Sequence, residues 1–140
     1  MSNGTDQIFE VLPVSALLER VGLMHKEGYR LVQIGATRLP EHIELTYSFD
    51  RDRQLANLRV QIPAAGARVP SVSGIYWCAF LYENELHDLF NLQVDGMAVD
   101  FHGHFYQTMV AFPFGSTKAP VAPAPAAPAA ATATATPAEK

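Results

Sequence analysis

The sequence predicts an α/β (α+β) fold. An antiparallel or mixed sheet of about three to five strands packs against two main helices, and a disordered C-terminal tail follows. Three observations carry this reading. Residues 42–50 and 56–63 alternate apolar and polar side chains with period two, as strands with one buried face do. Segments before and after them space their apolar residues at helical intervals. The stretch from Ser116 to Lys140 of the 140-residue chain is dominated by Ala, Pro and Thr. The body is thus residues 1–115, large enough to bury about two-thirds of its unfolded surface without metals or disulfides.

In chain order, "LPVSALLERVGLMHKEG" reads as the first helix. Pro13 suits the first turn, where its missing N–H costs nothing. Val14, Leu17, Leu18, Val21 and Met24 recur at helical spacing, and Gly28 can take the left-handed stop. Three strands then form an antiparallel meander. They are "YRLVQIGAT" (29–37), "HIELTYSFD" (42–50) and "ANLRVQIP" (56–63), with "DRDRQ" as a charged hairpin loop. Ile43, Leu45, Tyr47 and Phe49 share one face, as do Ala56, Leu58, Val60 and Ile62, and this inner face packs on the helices.

After the small-residue connection "AAGARVPSVSG" comes a second helix, about Ile75 to Phe90. Its apolar stripe is Ile75, Cys78, Ala79, Tyr82, Leu86, Leu89 and Phe90. Trp77, Phe80 and Leu81 fall off that stripe, so its first half is apolar nearly all round. Such a helix demands cover on all sides, either from a partner or from another loop of the chain. Asp95-Gly96 in "LQVDGMAVDF" signals a small hairpin. "GHFYQTMVAFPFG" adds either one more strand or an irregular cover. The tail lacks large apolar side chains and cannot offset the entropy of ordering.

Composition excludes several functions. Net charge is −4, and the ten Lys and Arg form no basic stripe, which argues against a nucleic-acid partner. Cys78 is the only cysteine, so no CxxC ligand pair for an iron–sulfur cluster exists. "MSNGTDQIFEVL" has no basic start and no long apolar core, and is not expected to be a secretory signal. No run approaches the roughly 20 apolar residues of a membrane-spanning helix.

"YENELHDLFNL" concentrates the candidate chemistry. On a helix Glu83 and His87 share a face, as do Glu85 and Asp88. Paired carboxylates can serve as acid and base if burial raises one pKa. The plainer alternative is a solvated or ion-paired polar face. In "FHGHF", His102 and His104 would point the same way if extended. They could begin a zinc site, but zinc needs three or four ligands, and only His87, Asp100 and Asp95 offer themselves. Cys78, on the apolar stripe, is expected to be a buried core thiol.

"VPSVSGIYWCAFLYENELHDLFNL" resembles the signature of the 30 kDa subunit family of respiratory complex I. In that family an apolar helix runs into Glu-x-Glu-x-x-Asp-x-Phe-Gly, and here Glu83, Glu85, Asp88 and Phe90 occupy those places. The resemblance covers roughly residues 12–106. Asn84 stands where Arg is usual, and Asn91 where Gly is usual. Gly103-His104 echoes a Gly-His-Pro segment, with Phe105 replacing Pro. The wording "ENELHDLF" is most similar to the corresponding small subunit of membrane-bound, energy-converting nickel–iron hydrogenases.

The resemblance implies a non-catalytic assembly subunit of the hydrophilic arm, packed against a large catalytic subunit. The protein would lie on the cytoplasmic face and meet the membrane only through the complex. It implies no cofactor in this chain, with nickel–iron and iron–sulfur centres in partner subunits. The interface would be Glu83, Glu85, Leu86, His87, Asp88, Phe90, Asn91, Gly103 and His104, the carboxylates pairing with arginines of this chain or the partner. Two alternatives remain: a stand-alone acid/base enzyme using Glu83, Glu85 or His87, and an unrelated adaptor whose ligand is the proline-rich tail.

Overall fold

The computed structural model describes residues 7–115; the tail therefore lies outside the described residues. The elements in order are β1 (Ile8–Val11), α1 (Val14–Lys26), β2 (Arg30–Arg38), β3 (His42–Arg51), β4 (Gln54–Pro63), β5 (Arg68–Pro70), α2 (Ala79–Phe90) and β6 (Gln93–Asp95). The main sheet has the order β1-β4-β3-β2. β2, β3 and β4 form the expected antiparallel meander. β1 is an addition that the alternation did not reveal, and it pairs parallel to β4, making the sheet mixed.

Local chemistry explains the turns. Between β3 and β4, Asp52 and Arg53 both have positive φ, which suits a tight two-residue hairpin whose twist matches its strands. Pro13, in an extended conformation, caps the start of α1, and the helix ends before Gly28, whose φ of +84° needs no Cβ to be accommodated.

The expected inner face is correct on both central strands. Ile43, Leu45, Tyr47, Phe49, Leu58, Val60 and Ile62 are all buried, and Leu17, Val21 and Met24 of α1 lie in the same core. Leu18, which shares the helical spacing, is exposed. At burial of this kind each such side chain contributes about 1.5–3 kcal/mol.

Three expectations need correction. α2 starts at Ala79, not Ile75. The four preceding residues form turns, with the Ile75 and Tyr76 N–H groups both donating to the Val72 carbonyl. Those turns aim Tyr76 inward, where its hydroxyl donates to the Tyr29 carbonyl at 2.7 Å. They also leave Cys78 exposed rather than in the core. The Asp95-Gly96 turn makes no hairpin. Instead β6 pairs parallel to β5 in a separate two-stranded sheet, because α2 lies between them as a crossover. Beyond β6, residues 97–115 hold no strand and form an irregular cover.

α2 is positioned against β2. A register shift between Leu31 and Gln33 leaves Val32 bulged, and the freed Val32 carbonyl accepts the Tyr82 hydroxyl at 2.9 Å.

Candidate partner face around the second helix

Three polar residues of α2, Glu83, Asn84 and Asp88, are buried within the chain. Glu83 is 2% exposed. Its Oε1 accepts the Val72 N–H at 2.7 Å and its Oε2 accepts the Ser71 hydroxyl at 2.6 Å. The Ser71 hydroxyl also lies 2.6 Å from that of Ser73, whose oxygen accepts the Ala98 N–H at 2.9 Å. One carboxylate thereby fixes the β5–α2 connection and, through two serines, the start of the 97–115 cover. Burial pushes the Glu83 pKa up, against the opposing pull of the Ser71 hydroxyl and Val72 N–H. The Tyr47 hydroxyl is pushed well above its usual range by burial first and by the Glu83 charge second.

Asn84 is the second clamp. Its Nδ2 donates to the carbonyls of Phe80 (2.7 Å) and Val99 (2.9 Å), and its Oδ1 accepts the Phe101 N–H at 3.0 Å. An amide supplies both donor and acceptor here, which the family's arginine, a donor only, would not do. Asp88 is the third. Its Oδ2 accepts the Tyr106 N–H at 2.8 Å, and its Oδ1 lies 3.1 Å from Nδ1 of His87. The buried side chains of Glu83, Asn84 and Asp88 thus hold the chain's own backbone. Among the described residues none of Glu83, Glu85 and Asp88 meets an arginine.

Glu85 differs. It is half-buried, and its Oε2 lies 3.5 Å from the Tyr106 hydroxyl. The Glu85 charge raises the pKa of that exposed phenol. Leu86 is in the core. Asn91 ends the helix at φ +56°, its N–H donating to the His87 carbonyl, so asparagine fills the left-handed position as expected.

Gly103 and His104 do not extend. His102 has φ +52° and Gly103 φ +82°, turning the chain beside α2. A Cβ on Gly103 would sit 3.6 Å from His87 Cε1. His87, Asp88, His102 and His104 border one cleft of about 700 Å³, lined also by residues 107–112. Among the described residues no three His, Cys, Asp or Glu side chains converge to hold a metal ion.

The outward side of this region is apolar. Trp77 is 63% exposed and Met109 88%, and Leu81, Phe101, Tyr106 and Phe114 are also exposed. Helical spacing puts Leu81 and Glu85 on one stripe, and Trp77, in the turn before the helix, packs on Phe80 with ring centroids 5.6 Å apart. The cover is tied down by the Phe114 N–H to the Leu89 carbonyl and by Arg38 Nε to the Gly115 carbonyl.

Against this geometry, residues 11–107 match the family model described as respiratory-chain NADH dehydrogenase, 30 Kd subunit. The chain belongs to that family. The fold of this 30 kDa-subunit family member is also seen in two solved structures. One is a chain of the membrane-bound sulfane sulfur reductase, an archaeal respiratory membrane complex. It has 24% identity and a TM-score of 0.65 over 73% of this chain and 64% of that one. The other is Nqo5, in a trypsin-resistant fragment (1–134), with 24% identity and a TM-score of 0.60 over 71% of this chain and 86% of that one. Identities this low show the fold alone. No curated protein matches the sequence.

Ser71, Ser73 and Asn84 are clamping positions that sequence reasoning did not select as such. The signal for the serines was "PSVS" ahead of the helix. For Asn84 it was the departure from the family's arginine.

Proposed function

We propose that this protein is a non-catalytic assembly subunit in the hydrophilic arm of a complex-I-like, membrane-bound oxidoreductase, of the NADH dehydrogenase or energy-converting hydrogenase kind. It packs against the large catalytic subunit through the outward side of α2 and the 97–115 cover. The redox centres, nickel–iron and iron–sulfur, belong to the partner subunits, and the protein meets the membrane through the complex. Family membership supports the setting. The single observation that carries the interface is the exposure of Trp77 and Leu81 at the start of α2, together with Phe101, Tyr106 and Met109 of the 97–115 cover. Large aromatic side chains in an uncovered patch mark protein-binding surfaces. Among the described residues no helix is long and apolar enough to cross a membrane, so attachment through other subunits fits.

Cys78 gives a direct test, since it is exposed beside Trp77. In the isolated protein a maleimide should label it fully, and in complex with the large subunit labelling should fall at least tenfold. Equal labelling in both states would sink the interface.

A second reading is an acid/base enzyme, favoured by the His87–Asp88 pair at the edge of the 700 Å³ cleft. It counts against this reading that both Glu83 oxygens and one Asp88 oxygen are occupied by hydrogen bonds within the chain. It requires turnover by the isolated protein that His87→Ala abolishes while thermal stability is kept.

A further inference from the structure

Charge is distributed unevenly along this chain. Between residues 71 and 115 the sequence has five carboxylates, Glu83, Glu85, Asp88, Asp95 and Asp100, and no lysine or arginine. The structure divides these five. Glu83 and Asp88 are buried and bonded within the chain. Asp95 is held by Arg68 at 2.7 Å. Among the described residues, Glu85 and Asp100 are left with no cation of their own besides the weakly placed His102, 3.5 Å from Asp100. Glu85 lies one helical turn beyond Leu81. Asp100 precedes Phe101, whose N–H is clamped to Asn84 on the same helix. Glu85 thus lies beside Leu81 and the Tyr106 hydroxyl, and Asp100 beside Phe101. These three apolar or aromatic neighbours are exposed, as is Trp77.

We propose that the occupant of this face is a protein surface with an apolar pocket for Trp77 and an arginine or lysine rim that meets Glu85 and Asp100. The inference rests on the proposed packing against the large subunit, and it adds the chemistry of the partner. Complementary rims of this kind steer association and exclude wrong partners. They also exclude the other occupants. An anionic lipid surface attracts basic segments and repels this one. A nucleic acid needs phosphate-neutralising cations that the face lacks. A second copy would bring two faces without lysine or arginine together. The carboxylates that carry the pairing are then not the buried members of the family motif. They are its one partly exposed member and an aspartate on the cover.

The test uses the full chain and the purified large subunit of its complex, at pH 8 so that imidazole charge stays out of the readout. Affinity is measured by interferometry between 50 and 500 mM NaCl. We expect Glu85→Arg with Asp100→Asn to weaken binding about tenfold or more at low salt and to flatten its salt dependence. Glu19→Arg, on the exposed side of α1, should leave both unchanged. Glu85→Gln alone, the conservative change, should give an intermediate loss. Vesicles of phosphatidylcholine and phosphatidylglycerol in equal parts should not bind, and sedimentation should show a monomer. Wild-type binding to the large subunit that ignores both salt and the double substitution overturns this inference and leaves the proposed function standing. So does vesicle binding or dimerisation that Trp77→Ala abolishes. Failure of the wild-type protein to bind the large subunit at all overturns the proposed function itself.

Discussion

The carboxylate of Glu83 and the backbone N–H of Val72, eleven residues apart, are joined at 2.7 Å inside the protein. This bond, with that from Ser71 to the other oxygen, sets the path by which the chain enters α2. It also makes Glu83 a titrating group whose folded pKa lies above the ordinary value of 4.5.

The sign of the pH dependence follows. A carboxyl whose pKa is raised on folding binds its proton more tightly in the folded state. Its stabilising contribution is complete below pH 4.5 and is lost as pH rises through the folded value. The part of the melting temperature governed by Glu83 should therefore climb on acidification toward pH 4.5. Glu83→Gln should flatten that segment and keep the bonds to Val72 and Ser71. Glu83→Ala should cost about 1–3 kcal/mol at pH 7 by orphaning the Val72 N–H. Thermal melts of the three proteins from pH 8 to 4.5 decide it, and parallel curves for wild type and Glu83→Gln would refute the assignment.

Asn84 should be intolerant of both truncation and charge. Asn84→Ala removes three hydrogen bonds and should cost about 2–3 kcal/mol. Asn84→Asp should be at least as harmful, because a carboxylate would then face the Phe80 and Val99 carbonyls. Hydrogen exchange at the Phe101 amide should accelerate in both. Protection unchanged from wild type would mean that the cover is held by other contacts.

Two of the left-handed positions, Asn91 and Gly103, should respond in opposite directions. Asn91→Gly should be neutral or stabilising by a few tenths of a kcal/mol, since glycine has no Cβ to strain at φ +56°. Gly103→Ala should destabilise by about 1 kcal/mol or more through backbone strain at φ +82°, the added Cβ itself making only ordinary contact with His87. Urea titrations of the two variants give the comparison. A destabilised Asn91→Gly would show that the asparagine side chain has a further role.

Removing the Tyr82 hydroxyl isolates the seat of α2 on the sheet. Tyr82→Phe should cost about 1 kcal/mol, because the bulged Val32 carbonyl loses its partner. Partner affinity should stay unchanged, since this bond faces inward. A loss of affinity without a loss of stability would reverse that assignment.

The sheet was legible because its signal is local. Ile43 to Phe49 and Ala56 to Ile62 alternate without interruption, and period two reports a single buried face directly. β1 was not, because four residues carry too short an alternation and its partner on β4 is some 48 residues away (Ile8 with Ala56). The start of α2 was overrun because Ile75 and Tyr76 continue the apolar spacing while the backbone still turns. The polar side of α2 was read as facing water or arginine. Within the chain, Glu83, Asn84 and Asp88 instead meet the N–H and carbonyl groups of Val72, Val99, Phe101 and Tyr106, and backbone groups leave no trace in a side-chain pattern. Only the serines of "PSVS" and the amide of Asn84 hinted at them.

The parallel pairing of β1 has a consequence for synthesis. "IFEV" is synthesised before its ladder partners, residues 56–59, which follow 48 residues behind (Ile8 with Ala56). The segment can therefore pair only once β4 has been made. Even then it remains an edge strand, with one side of its ladder open and Ile8, Phe9 and Val11 exposed, a position from which further strand pairing can start.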